Sequence, residues 1–158
     1  MQVKNILFVC TGNLCRSPMA EYLLRELLDQ GGIHDIRVHS AGTWAADGEP
    51  VAPLAQEVCR EKGLDISAHV ARRLTREMLL ESDLVVVMEM DHLHCVEDLL
   101  PDALAKTKLL ANFGDGQGIA REIADPYGRP KREYERCFDS IKQHVQALYS
   151  DLCGRGSR

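Results

Sequence analysis

The stretch from Ile6 to Leu24 constrains this chain more than any other. Ile6-Leu7-Phe8-Val9 is an apolar run that reads as a buried strand, and Cys10 to Arg16 reads as a tight loop. Ser17-Pro18 and the following Met19-Ala20-Glu21-Tyr22-Leu23-Leu24 read as the opening of a helix. Ser17 suits an N-cap, and Pro18 suits the first helical position, where a missing N–H is no loss. Gly12 and Asn13 tolerate the unusual dihedrals that such a loop needs. The loop's backbone N–H groups and the positive end of the helix dipole then converge on one point, which makes an anion cradle. Cys10 ends the strand at that point. The positive field favours its thiolate, and the Ser17 hydroxyl is placed to donate to it. Arg16 adds a planar fork that matches phosphate oxygens. A thiolate under a dianion site is a nucleophile aimed at phosphorus. A bare Cys-x5-Arg spacing is weak, and the same residues also read as a buried cysteine and a solvated arginine. The agreement of strand, loop chemistry and helix start gives the spacing its weight.

The rest of the chain alternates strands and helices. Val3–Val9 is the first strand, almost continuously apolar, as in a sheet covered on both faces. The helix from Ser17 carries Met19, Ala20, Leu23, Leu24, Leu27 and Leu28 at a period near 3.6, and Gly31-Gly32 stops it. Ile36–Ser40 alternates and predicts a second strand near an edge. Helices are predicted over Glu49–Gly63 and over Thr75–Ser82, the latter capped by Thr75. Leu84–Met90 is a central strand, and Asp91 caps a fourth helix through Leu100, ended by Pro101. Lys108–Ala111 is a short last strand, and 113–124 is a polar, Gly-rich loop. Pro130 starts a final helix with Tyr134, Phe138, Ile141, Val145, Leu148 and Leu152 at steps of four and three. This pattern predicts a single α/β domain, a four-stranded parallel sheet with helices on both faces. The domain spans 1–153, and 154–158 is a frayed tail. Ligands bind beyond the carboxyl ends of strands in such sheets, where Cys10 and Ser40 both fall.

Composition narrows the function. A net charge of −5 in 158 residues argues against general nucleic-acid binding. The opening residues carry too short an apolar run for a signal peptide, and no stretch is long enough for membrane insertion. None of the six cysteines forms a Cys-x-x-Cys pair, so a reducing cytoplasm is expected rather than a disulfide framework. Asp91-His92-Leu93-His94-Cys95 has metal-capable side chains, but helical spacing splits them between faces. It reads as a solvated helix surface, with no metal and no cofactor.

The stretch CTGNLCRSPMAE resembles the active-site loop of the low-molecular-weight protein tyrosine phosphatase family, whose pattern is C-x5-R-S-P. The resemblance implies a flavodoxin-like fold of the phosphotyrosine phosphatase I type. It also implies hydrolysis of phosphotyrosine in proteins through a phosphocysteine intermediate, by a monomer whose partner is a phosphorylated protein, a tyrosine kinase being one candidate. Cys10 is then the nucleophile. The loop residues Thr11, Gly12, Asn13, Leu14, Cys15 and Ser17 hold the phosphate together with Arg16. A phenolate leaving group needs a proton, because phenol has a pKa of about 10. Asp125-Pro126-Tyr127-Gly128, by itself a turn signal, is similar to the family's acid loop and makes Asp125 the general acid and base.

Other positions follow from the same resemblance. Asn13, Ser40 and His69 form the supporting network. Trp44 and Tyr127 are expected as walls of the substrate cleft, although Trp44 reads equally well as a packing residue. In relatives with a second loop cysteine, a reversible disulfide shields the nucleophile. Here that is Cys10–Cys15, although Cys15 also reads as a small buried loop residue. Thr11 stands where tyrosine-directed relatives usually carry a bulkier aliphatic residue, and it resembles the sub-group acting on phosphoarginine. Arsenate reductases share the loop too, but they relay a disulfide through two further cysteines after the third strand. Only Cys95 is near that place.

Overall fold

The computed structural model describes residues 2–114 and 121–156. Its strands are β1 (Asn5–Cys10), β2 (Arg37–Gly42), β3 (Leu84–Val87) and β4 (Thr107–Leu109), and its helices are α1 (Arg16–Gln30), α2 (Pro53–Glu61), α3 (Arg76–Glu81), α4 (Met90–Leu99) and α5 (Lys131–Gly156). The strands form one parallel sheet in the order β2-β1-β3-β4. β1 is apolar throughout because both its faces are covered. Ile6, Phe8 and Cys10 face a layer built from α1, α2 and α5, whereas Leu7 and Val9 face Leu79 of α3 and Val96 of α4. The α5 stripe Tyr134, Phe138, Ile141, Val145, Leu148 and Leu152 is buried as its spacing predicts, and the helix packs across α1 and α2.

β2 lies at an edge, as its alternation implies, with Val38 and Ser40 buried and Arg37 and His39 exposed. Its outer carbonyls are taken up by guanidinium groups. Arg25 Nε and Nη2 donate to Val38 O at 3.2 and 2.9 Å, and Arg72 Nη2 donates to Ser40 O at 3.4 Å. An edge so covered offers little to another strand.

Several boundaries differ from the sequence reading for definite reasons. α1 starts at Arg16 with Cys15 as N-cap, not at Ser17, because the Ser17 hydroxyl is engaged elsewhere. Pro18 still falls in the first turn, where its missing N–H goes unused. α2 starts at Pro53 rather than Glu49. The residue before a proline is driven to extended dihedrals, and Ala52 has φ −58° and ψ 134°. Pro50 instead bridges to Val70. α4 is capped by Glu89 and not by Asp91, which lies in its first turn. β3 correspondingly ends at Val87, and β4 is shifted to begin at Thr107. Thr75 does cap α3, accepting from Met78 N at 3.2 Å. Pro101–Lys106 forms a 3₁₀ turn that periodicity did not predict. α5 continues through Gly156 where a tail from 154 was expected; 157 and 158, and 115–120 of the expected loop, lie outside the described residues.

The sheet positions the loop after β1 with one tight contact. A Cβ added at Gly42 would lie 2.5 Å from Thr11 O and 2.8 Å from Asn13 N, both backbone atoms that cannot yield without moving the loop. Gly42→Ala is therefore expected to destabilise the fold by about 1–3 kcal/mol, read as a lowered urea midpoint with an unchanged m-value.

Candidate active site

The loop between β1 and α1 holds its shape through Asn13. Asn13 is the one non-glycine among the described residues with a left-handed backbone (φ 57°), and every polar group it has beyond its own N–H is bonded. Its Nδ2 donates to Ser17 Oγ at 2.7 Å and to Ser40 Oγ at 2.9 Å. Its Oδ1 accepts from Arg72 N at 2.9 Å, and its carbonyl bonds His69 Nε2 at 2.8 Å. Ser40 in turn donates to the buried carboxylate of Glu21. These bonds have a direction. Ser17 Oγ accepts from Asn13, so its own proton is free for Cys10 Sγ, 2.9 Å away. Burial pushes the His69 pKa below its ordinary value, against the opposing effect of its bond to Asn13.

Arg16 occupies the other side. It is 1% exposed, and its Nη1 donates to Glu89 Oε1 at 2.6 Å and to the Ile123 carbonyl at 2.7 Å. Nη2 lies 3.4 Å from Thr11 Oγ1 and 3.6 Å from Asp125 Oδ2. Burial works to lower its pKa, but the negative groups at Cys10, Asp125 and Glu89 outweigh it and raise the value, so Arg16 stays charged.

A cavity of about 260 Å³ opens over this arrangement, lined by Cys10, Thr11, Gly12, Leu14, Cys15, Arg16, Asp125 and Tyr127. Asp125 and Tyr127 are brought from far along the chain, and Tyr127 N donates to Asp125 Oδ1 at 3.1 Å. Asn13, Ser17, Ser40 and His69 lie beneath, where none of them lines the cavity. Trp44 does not line it either. Its side chain is 75% exposed, with the Arg73 guanidinium 5.7 Å from its ring centroid, while its backbone N–H donates to Thr11 O at 2.8 Å. Cys15 lines the cavity and is itself buried. Burial pushes its thiol far up, with Cys10 and Asp125 adding to the effect.

Two residues here escaped the sequence reading. Glu89 holds Arg16, and His92 reaches the loop, with Nε2 2.9 Å from Thr11 Oγ1. The expectation that His92 lies on a solvated helix surface is wrong, since it is 1% exposed. The available signal was position: both residues follow immediately on the carboxyl end of a central strand, where sites of such sheets form.

Residues 5–156 match the family model described as low molecular weight phosphotyrosine protein phosphatase. A low molecular weight protein-tyrosine-phosphatase of Acinetobacter johnsonii is 39% identical over 152 residues, covering 96% of each chain. A protein-arginine-phosphatase of Geobacillus stearothermophilus is 35% identical over 147 residues, covering 93% of this chain and 95% of the other. The crystal structure of the tyrosine phosphatase Wzb from Escherichia coli K30 in complex with sulphate superposes with a TM-score of 0.87 at 30% identity, covering 96% of this chain and 99% of that one.

His92 also links the site to stability. Burial, with Arg16 adding to it, lowers its pKa from 6.5 to about 4, while Asp91 and Asp125 oppose the shift weakly. The unfolded chain therefore takes up this proton first as pH falls. The stability is intact above pH 6.5 and is lost as pH drops toward 4, by about 3 kcal/mol for this group. His92→Gln should flatten that part of the curve in urea unfolding followed from pH 7 to 4. His69, also lowered by burial, contributes to the slope that remains.

Proposed function

The chain belongs to the low molecular weight phosphotyrosine protein phosphatase family, and from that premise we propose that it hydrolyses phosphotyrosine in proteins through a phosphocysteine intermediate on Cys10. The observation that carries this reading is the convergence on one cavity of Cys10, Arg16 and Asp125. The phosphoryl oxygens sit against the loop N–H groups and the guanidinium of Arg16, which stabilise charge as it spreads over them. Cys10 Sγ attacks phosphorus from the strand side while the bond to the phenolic oxygen breaks, and the carboxyl group of Asp125 protonates that oxygen. Asp125, now a carboxylate, takes a proton from water as water attacks the phosphocysteine, releasing inorganic phosphate and restoring the thiolate. Ser17 stabilises that thiolate with the proton that Asn13 leaves free. The 62% exposed ring of Tyr127 at the cavity edge suits a phenyl group.

The cavity is built by one chain, which suits a monomer acting on a phosphorylated protein. No helix among the described residues is long and apolar enough to cross a membrane. The six cysteines form no disulfide, which supports a reducing cytoplasm as the compartment.

Thr11 supports a second reading, phosphoarginine as substrate, because it lines the cavity beside the nucleophile and one relative carries that activity in its name. Turnover of phosphotyrosine, phosphoarginine and p-nitrophenyl phosphate by wild type, Cys10→Ser and Asp125→Ala tests both. Cys10→Ser is expected to be inactive on all three. Asp125→Ala should lose about 10²–10⁴-fold on phosphotyrosine and less on p-nitrophenyl phosphate, whose leaving group needs no proton. Full activity in Cys10→Ser would overturn the mechanism. Phosphoarginine turnover far above phosphotyrosine turnover would replace the substrate.

A further inference from the structure

The edge strand β2 carries a concentration of positive charge that the chemistry at Cys10 does not use. Arg37 and His39 lie in register with Asn5 and Leu7 and share their face of the sheet. The two side chains line two cavities, one toward α1 and one toward α3. The first, about 330 Å³, also takes in Arg25, Asp29 and His34, and it falls within the roughly 300–1,000 Å³ of small-molecule sites. The second, about 160 Å³, lies over Leu7 and takes in Arg72 and Glu81. Each has one carboxylate in its lining, against four arginine or histidine side chains in the first and three in the second. In a chain of net charge −5 this excess reverses the average surface. Among the described residues no hydrogen bond or ion pair holds the Arg37 guanidinium. The positive fields of Arg72, Arg25 and Arg37 all reach the His39 ring.

The backbone of this edge adds donors and withholds acceptors. Arg37 N turns inward to Lys4 O at 2.7 Å, and Gly42 N turns outward to Arg72 O at 2.9 Å. Val38 and Ser40 alternate in step with Gly42, so their backbone groups face outward too. Their carbonyls are occupied by the Arg25 and Arg72 guanidinium groups, and their N–H groups point the same way. A peptide strand pairs through donors and acceptors together. An edge that presents N–H donors and cations suits an oxyanion instead, whose oxygens only accept. We propose that the β2 edge is a second oxyanion site, which binds a small molecule carrying two or more oxyanion groups, a diphosphate or a tricarboxylate, against Arg37 and His39. Arg25 and Arg72 shape the site but also serve the catalytic loop, through Glu21 and through the bond from Arg72 N to Asn13. Arg37 and His39 have no such tie. Arg37 stands at the start of β2, at the far end from Gly42, which clamps that loop. The site therefore goes beyond the phosphatase reading and does not rest on it.

Nuclear magnetic resonance titrations of the full chain with pyrophosphate, citrate and, at matched ionic strength, acetate test this position by position. The Arg37 Nε–H and His39 ring signals should shift and saturate with pyrophosphate or citrate, on a curve separate from that of the Thr11 and Gly12 N–H groups. Acetate should not saturate them. Saturation by pyrophosphate alone assigns a diphosphate ligand, and saturation by citrate alone a tricarboxylate. Arg37→Gln should raise the dissociation constant read at His39 about 10-fold, the loss of one hydrogen bond to a charged group. The constant read at the catalytic loop, and kcat/KM on p-nitrophenyl phosphate, should stay at wild-type values. Lys108→Gln removes an exposed charge from β4, the opposite edge of the sheet, and should leave the His39 curve unchanged. Shifts confined to the catalytic loop, edge shifts that acetate reproduces, or equal losses in Arg37→Gln and Lys108→Gln would each overturn the proposal. Wild type that saturates at His39 but hydrolyses no phosphomonoester would sink the phosphatase reading and leave the β2 site standing.

Discussion

A guanidinium buried to 1% exposure is the constraint around which this site is assembled. Taking such a charge out of water costs several kcal/mol unless it is paired and bonded. Arg16 opens α1 beside Cys10, so the compensation must be brought to the carboxyl end of β1. Glu89 comes from the junction of β3 and α4, and the Ile123 carbonyl from the segment beyond β4. Ile123 N in turn donates to Met88 O at 2.9 Å. Three distant stretches thus meet on one side chain, and the segment that delivers Asp125 is anchored two residues before it. The pairing leaves Nη2 toward the cavity, where Asp125 stands 3.6 Å away.

Asn13 imposes the second constraint, and its bonds run one way. Glu21 accepts from Ser40, which leaves Ser40 Oγ to accept from Asn13. Asn13 also donates to Ser17, which leaves Ser17 to donate to Cys10. The Glu21 carboxylate fixes the Ser40 proton, and the Asn13 amide, oriented by Arg72 N, donates to both hydroxyls. Such a network stabilises the anion without placing a second full charge in the loop. The same loop is clamped from outside by Gly42, whose missing side chain admits the Thr11 and Asn13 backbones.

Much of this was legible in the sequence because it is local. The apolar run of β1, the α5 stripe and the loop chemistry between Cys10 and Pro18 each lie within a short window where period and residue type speak directly. The parallel arrangement of the strands followed from the alternation of strands and helices. What escaped was decided by tertiary partners. Ser17 has the credentials of an N-cap, yet the thiol and Asn13 claim its hydroxyl. Trp44 was placed in the cleft by its aromatic character, but its turn sends the backbone to Thr11 and the ring out over Arg73. Glu89 read as part of the central strand and His92 as a helix-surface residue, because nothing local marks a side chain that turns back under the sheet end.

The contact between Arg16 and Asp125 also bears on how the acid meets the substrate. In the mechanism proposed, a phosphoryl dianion takes the Nη2 edge that the Asp125 carboxylate faces. The carboxylate then loses its favourable neighbour and gains a doubly charged one at close range. Two anions a few ångströms apart in a partly buried site repel by several kcal/mol at an effective dielectric of about 20. The proton that the proposed mechanism requires on the carboxyl group is the one the leaving oxygen needs. Release of phosphate reverses the sequence and returns the carboxylate to Arg16. In that proposal substrate and acid, though served by residues 109 positions apart in the chain, meet at one guanidinium.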